Sequence, residues 1–269
     1  MKLTLSRVLL LVVLALFSSC ELFEIHPYSG NIKGKRNINT SNIAIIEDLY
    51  ADKDSIRYAF ISDSQRSYDQ LESFVKHVNA RDDIDFIIHG GDVTDFALTD
   101  EFILQRDILE KLIKPYVVVI GNHDCLANGE DIFEIVFGPL NFSFIAGKTK
   151  FLGLNTNALE SNYSNPIPDF AFIRAEREKD LDRFNQTVVL MHAKPTNEQF
   201  NNNVADVFQY SITQYPHLLY CNNGHEHQYQ QVDVFDDGIT YYGTPNIKKR
   251  EYLVFSITPG EYTHELQSF

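Results

Sequence analysis

The stretch that most narrows what this chain can fold into is 116–124, YVVVIGNHD. A run of β-branched residues bounded by turn residues reads as a strand covered on both faces. Here it stops at a glycine followed by an amide, an imidazole and a carboxylate. Gly121 lets the backbone bend, so Asn122, His123 and Asp124 are expected to project from the strand's carboxyl end, the edge where ligands bind in open α/β sheets. The pattern stands twice upstream. RYAFISD (57–63) ends on Asp63 and DFIIHGGD (85–92) ends on Asp92, so Asp63, Asp92 and Asn122 follow one another at intervals of 29 and 30 residues. That interval is one βαβ unit, and right-handed crossovers set the three strands side by side with their polar tips on one edge. TVVLMH (187–192) and HLLYCNNGHEH (217–227) repeat the pattern and add His192, His225 and His227.

The segments between these strands supply the crossovers. Ser67 to Ala80 places Leu71, Phe74, Val75 and Val78 on one helical face, with Ser67 and Gln70 spaced as a capping box. Thr99 to Ile113 reads as a second helix with Leu104, Ile108 and Leu112 at spacings of four. Asp131 to Phe137 is a short helix stopped by Gly138 and Pro139. Phe142 to Leu154 alternates around Gly147 as a hairpin. Asp169 to Phe184 and Val204 to Gln214 read as further helices, and two C-terminal hairpins turn at 236–238 and 259–260. The polar strand tips are spread over residues 63 to 227, which favours one domain. A hydrophobic content of 44% in 269 residues can fill its core.

The N-terminus has the shape of an export signal. Lys2 and Arg7 precede an apolar run from Val8 to Phe17, shorter than the ~20 residues that a transmembrane helix needs. The end of that run, LFSSC (16–20), resembles a bacterial lipobox, whose cysteine becomes the acylated first residue of the mature protein. Residues 1–20 are therefore expected to be a lipoprotein signal peptide and Cys20 the lipidation site. The protein would be exported and anchored to the bacterial membrane, facing periplasm or cell exterior; an ordinary cleaved signal is the alternative. Residues 21–55 are expected to form a tether, rich in Asn, Gly and Lys up to Asn42, with the more apolar Ile43 to Leu49 packing on the domain edge. Cys125 and Cys221 both flank the expected site, where a disulfide is conceivable in an oxidising compartment; two unpaired thiols are the alternative.

Taken in order, Asp63-x-Gln65, Gly91-Asp92-x-x-Asp95, Gly121-Asn122-His123-Asp124, His192 and Gly224-His225-x-His227 resemble the calcineurin-like metallophosphoesterase superfamily over residues 57 to 257. The resemblance implies an α/β fold of the αββα sandwich type, two mixed β-sheets flanked by helices, in residues 56–269. It implies a metal-dependent phosphoester hydrolase, either phosphomonoesterase or phosphodiesterase, with a bridging hydroxide held between two ions. One ion would be held by Asp63, Asp92 and His227, with Gln65 in the usual histidine position. The other would take Asp92, Asn122, His192 and His225, so that Asp92 bridges. Carboxylate, amide oxygen and imidazole suit Mn, Fe or Zn.

Gln65 departs from the family pattern. Its amide oxygen is a weaker donor than imidazole, which predicts one metal site of lower affinity; alternatively Gln65 contacts substrate. His123 is implied to donate a proton to the leaving oxygen, oriented by Asp95 as in the family or by the neighbouring Asp124. His89 either reaches the site or is a satisfied buried histidine, and Arg66 could meet a phosphate. The expected partners are a small phosphorylated substrate and, through the anchor, the membrane. A formal charge of −14 disfavours nucleic acid. The competing readings are a non-catalytic surface lipoprotein that keeps the fold as a binding module, and a single-metal hydrolase.

Overall fold

The structure, a computed structural model, describes Pro27 and residues 32–269. The expected signal peptide, Cys20 and the remainder of the tether's first half lie outside the described residues. In chain order the elements begin with α1 (Ile38–Leu49), β1 (Ile56–Ile61), α2 (Tyr68–Asn79), β2 (Phe86–His89), α3 (Thr99–Leu109) and β3 (Tyr116–Val118). There follow α4 (Gly129–Val136), β4 (Phe142–Ala146), β5 (Thr149–Leu154), α5 (Phe170–Glu178), β6 (Gln186–Met191), α6 (Ala205–Thr213) and β7 (Leu218–Asn223). The last are β8 (Gln230–Asp233), β9 (Thr240–Gly243), β10 (Glu251–Thr258) and β11 (Glu261–Ser268).

These strands build two mixed sheets in the orders β11-β10-β1-β2-β3 and β4-β5-β6-β7-β9-β8. Strands β1, β2 and β3 are parallel, as are β5, β6, β7 and β9. The polar strand ends thus do not share one sheet. Apolar strand runs look alike in either layer, so the division could not be read from them.

Alternation within each strand sorts its side chains. Tyr58 and Phe60 point between the sheets, among Phe86, Ile88, Val117, Phe151, Val188, Leu190 and Tyr220. Their neighbours Ala59 and Ile61 meet Leu71, Phe74, Phe102 and Leu109 of the helices outside. Val189, Met191 and Cys221 face Ile173, Phe208 and Ile212 on the opposite side. Both faces of the central strands are therefore covered, which is why those strands are continuously apolar, whereas β8 and β11 are largely exposed. Tyr58 stacks on Phe86 and Phe255 at centroid distances of 5.5 and 5.3 Å.

The expected tether over 21–55 is corrected by α1. Strands β3 and β4 are edge strands, whose open side leaves backbone groups to be satisfied. Asn39 does this for β3: its Nδ2 donates to Val118 O at 2.8 Å and its Oδ1 accepts from Val118 N at 2.8 Å. Asn42 Nδ2 donates to Tyr116 O at 2.8 Å, and Glu47 Oε1 accepts from Ile145 N of β4 at 2.9 Å. The helix therefore closes one edge of the sandwich with the asparagines whose abundance read as a tether. Two helical details also differ. Ser67 makes no side-chain cap. Ile108 and Leu112 pack on the core as expected, but Leu104 is exposed, because the rest of the inner face of α3 is Phe102, Gln105, Arg106 and Leu109, two of them polar. Among the described residues, no helix is long and apolar enough to cross a membrane.

Candidate metal centre

The loops after β1, β2 and β3 carry Asp63, Gln65, Asp92, Asn122 and His123; those after β6 and β7 carry His192, His225 and His227. Both sheets deliver these residues to one edge. There the side chains fall into two groups whose ligand atoms lie within 4.8 Å of one another: Asp92, His192 and His225, and Asp63, Asp92 and His227. Asp92 belongs to both.

The backbone is bent hard to achieve this. Asp63, Gln65, Asp92, His225 and His227 all adopt positive φ, between 31° and 67°. Such conformations cost on the order of 1–3 kcal/mol each for a non-glycine residue and cluster at functional sites. Glycines make room for the approach. A Cβ at Gly121 would collide with the backbone nitrogen and carboxylate of Asp92, and one at Gly91 (φ 98°) would sit 2.7 Å from His192 Nδ1.

In the more enclosed group, His192 Nε2 lies 3.3 Å from Asp92 Oδ1 and 3.1 Å from Asn122 Oδ1. His225 Nδ1 lies 3.0 Å from the same Asn122 oxygen. His192 Nδ1 is 2.8 Å from Gly90 O. A carbonyl can only accept, so Nδ1 carries the proton and Nε2 turns a lone pair into the site. That lone pair faces a carboxylate and an amide oxygen, an arrangement that requires a positive charge between them or a second proton on the ring. Without a cation the second proton is held: burial disfavours the His192 imidazolium, but Asp92 and then Asp63 outweigh it and set its pKa at about 9.

In the more open group, His227 Nε2 lies 3.2 Å from Asp63 Oδ1. That oxygen is buried and accepts no hydrogen bond, although buried polar atoms are normally satisfied. Asp63 raises the pKa of His227, whereas burial and then His192 lower that of His225. Gln65 Nε2 lies 3.3 Å from Asp92 Oδ2. An orphaned carboxylate oxygen, converging imidazole lone pairs and the lack of thiolates together fit hard or borderline divalent metals.

The orienting carboxylate expected for His123 is not supplied by either candidate. His123 Nδ1 donates to the backbone carbonyl of Asp95 at 2.8 Å, while the Asp95 carboxylate pairs with Arg66. Asp124 is turned to the loops: it accepts from Thr94 N and Thr94 Oγ1 at 2.8 Å, from Gly121 N at 2.9 Å and from Val93 N at 3.3 Å. It ties the loop after β2 to the loop after β3. Burial lowers the His123 pKa, but the Asp95 carbonyl and Asp92 outweigh it, and the net shift is upward. Arg66 is exposed, with its guanidinium 4.9 Å over the Phe96 ring.

His89 is a satisfied buried histidine beneath the site. Its Nδ1 accepts from Gly91 N at 3.2 Å, so Nε2 donates to Ser64 Oγ at 2.9 Å, and Ser64 donates to Gln105 Oε1 at 2.9 Å. Cys125 and Cys221 are both free, so the conceivable disulfide is not formed. Several neighbours escaped the sequence reading. Glu198 Oε1 faces His225 Nε2 at 3.5 Å. Lys194 donates to Glu226 at 2.7 Å between the two site histidines, beside an open cleft of about 520 Å³ that Lys194 lines with residues 230–234. Asn157 Nδ2 donates to Ile120 O at 3.0 Å, bracing the GNHD loop from the second sheet. Only the HEH spacing, which must place a carboxylate between two site imidazoles, could have signalled Glu226.

A family model described as calcineurin-like phosphoesterase matches residues 56–229. Among solved structures, a dimetal phosphatase from Danio rerio superposes with a TM-score of 0.60 at 11% identity, covering 79% of this chain and 96% of that one. GAP50, described as the anchor in the inner membrane complex of Plasmodium, gives 0.57 at 11% identity, covering 80% and 85%. The purple acid phosphatase PPD1 of yellow lupin gives 0.57 at 11% identity, covering 81% and 52%. At such identities these likenesses show the fold alone. No curated protein matches the sequence at a significant level.

Proposed function

This chain belongs to the calcineurin-like phosphoesterase family, and on that footing we propose that it is a binuclear metal-dependent phosphohydrolase, exported and held at the membrane by an acylated Cys20. The observation that carries the reading is the pair of ligand groups sharing Asp92, with Asp63 Oδ1 buried and unsatisfied in the more open one.

Asp63, Asp92 and His227, with Gln65 beside them, would hold one ion; Asp92, Asn122, His192 and His225 would hold the other. When bound, the ions acidify water and neutralise phosphoryl charge. The chain's own residues do the rest. Hydrolysis breaks a P–O ester bond, adds the oxygen of water to phosphorus and needs a proton on the departing oxygen. His123 supplies that proton from Nε2, because Nδ1 is fixed on the Asp95 carbonyl, and the upward shift of its pKa favours the protonated ring. Asp95 acts through its backbone, and Asp124 holds the two loops in register. The substrate carries a phosphomonoester or phosphodiester, and the ions are Mn, Fe or Zn.

A binding module that merely kept the fold would have no need of five strained residues and a general acid at one edge, which counts against that reading. The test is turnover of chromogenic mono- and diesters with Mn, Zn or Fe, alongside metal analysis. We expect two ions per chain and a loss of at least roughly 10³-fold in kcat for Asp92→Asn, since the shared carboxylate supports both ions, each worth several kcal/mol of charge stabilisation. Metal-independent turnover, or an Asp92→Asn variant of normal rate, overturns the proposal; one ion per chain favours the single-metal reading.

A further inference from the structure

Helix α3 begins at the site edge, seven residues after Asp92, and runs back to the opposite edge, where β3 starts. Pro27 O accepts from Thr99 N, the first residue of that helix, at 3.0 Å. At its last turn Arg106 Nη1 donates to Lys33 O at 2.6 Å and Lys35 O at 3.2 Å, and Lys35 pairs with Glu110. Pro27 therefore lies at the end of α3 beside the candidate metal centre, and residues 33–35 lie at its far end. The described residue nearest to Cys20 in the sequence, Pro27, is thus on the mouth side of the domain.

This placement limits what the anchor can do. Cys20 stands seven residues before Pro27, and seven Cα steps span at most about 25 Å in any conformation. An acylated Cys20 would hold Thr99, and the nearby Asp95 carbonyl that fixes His123, within that reach of the bilayer. The rim of the mouth suits such a position. Phe96, the neighbour of Asp95, is 49% exposed. On the other side Tyr163 is 43% exposed, with its hydroxyl on Glu198 O at 2.8 Å and the Glu198 carboxylate against His225. The amphipathic ring of Tyr163 suits the headgroup level, and the apolar ring of Phe96 suits the boundary between headgroups and acyl chains.

Building on the phosphohydrolase reading above, we propose that the substrate is the phosphoester headgroup of a membrane lipid, presented by the same bilayer that holds Cys20. On either side of the mouth, Tyr163 sits in the headgroup layer and Phe96 at its boundary with the acyl chains. The short leash keeps the mouth within about 25 Å of the bilayer surface that carries the substrate.

The experiment uses full-length acylated protein in phosphatidylcholine vesicles carrying phosphatidic acid as monoester or phosphatidylglycerol as diester, with p-nitrophenyl phosphate and bis-p-nitrophenyl phosphate as soluble controls. A flexible twenty-residue Gly/Ser insertion between Glu24 and Ile25 lengthens the leash from seven residues to 27. Lengthening the leash dilutes the mouth away from the bilayer surface. The dilution is about twofold if its density at a plane falls as the square root of linker length, and up to about eightfold at the −3/2 power that holds for two points. Hydrolysis of one of the lipid esters should therefore drop by about two- to eightfold, with turnover of the soluble esters unchanged. The double variant Phe96→Ser/Tyr163→Ser should also lower lipid-ester hydrolysis at the native leash length, and Cys20→Ala should release the protein from the vesicles. Soluble-ester turnover without lipid-ester turnover, or equal lipid-ester rates at both leash lengths, overturns the inference and leaves the phosphohydrolase reading standing. Failure on both soluble and lipid esters with every metal overturns that reading itself.

Discussion

The two halves of the centre share Asp92 but are built differently. In the enclosed half, His192 is wholly buried, Asn122 is nearly so, and every ring nitrogen of His192 and His225 faces a polar atom. In the open half, the His227 side chain is 47% exposed, Gln65 stands where the family pattern has histidine, and Asp63 leaves one oxygen unsatisfied. Their supports differ as well. Asp124 and Asn157 brace the enclosed half from two sides, whereas the open half rests on the His89–Ser64–Gln105 chain. Donors locked by packing lose little freedom when they bind an ion, while an exposed imidazole must be ordered by it. The enclosed half is therefore expected to bind its ion first and more tightly.

The largest effect that tests this contrast comes from removing one imidazole at a time. His192→Ala should lose the tight ion together with turnover, a fall of about 10³-fold or more if the ion's several kcal/mol of charge stabilisation go with it. His227→Ala should keep one ion and lose less. Calorimetric metal titration of the two variants checks the order; equal losses would break the comparison. A smaller gain is expected from Gln65→His. Replacing an amide by an imidazole should tighten the weaker ion on the order of 10- to 100-fold, the scale that even ligand-supporting groups command. Two equal affinities in the native chain, unmoved by the substitution, would show that Gln65 is no handicap.

The contrast also explains what could be read from sequence. Strands β1, β2 and β3 were legible because burial on both faces leaves unbroken β-branched runs, and their polar tips stand out against them. Asp63, Asp92, Asn122, His192, His225 and His227 were found on that signal, and the structure brings all six to one edge. Supports were not legible, because their chemistry depends on partners far away in sequence. Asn39 and Asn42 read as tether residues because nothing in the sequence marks β3 as the edge strand whose backbone they satisfy. Asp95 was expected to act through its carboxylate, but a backbone carbonyl carries no sequence signal and does the work instead. Gln105 and Arg106 lie on the inner face of α3, where an apolar template searches for leucine.

The smallest effect concerns the floor of the open half. His89 is fully buried among groups that require it neutral: Gly91 N donates to one ring nitrogen and Ser64 Oγ faces the other. Burial, opposed by the weaker attraction of Asp63, depresses its pKa from 6.5 to about 4. In the unfolded chain the ring takes up its proton below about 6.5, while the folded chain resists until about 4, so acid favours unfolding throughout that window. The stabilisation from keeping His89 neutral is complete above pH 6.5 and is lost as pH falls toward 4. Between pH 7.5 and 5.5 the loss is about 1 kcal/mol, or a fall of roughly 2–4 °C in Tm for a domain of this size. Thermal melts of metal-free protein should show this slope, and His89→Gln, which cannot titrate, should flatten it. Since Ser64 sits between Asp63 and Gln65, acid should also weaken the open half before the enclosed one. A pH slope identical in the native chain and in His89→Gln would mean that the floor is not held by a neutral imidazole.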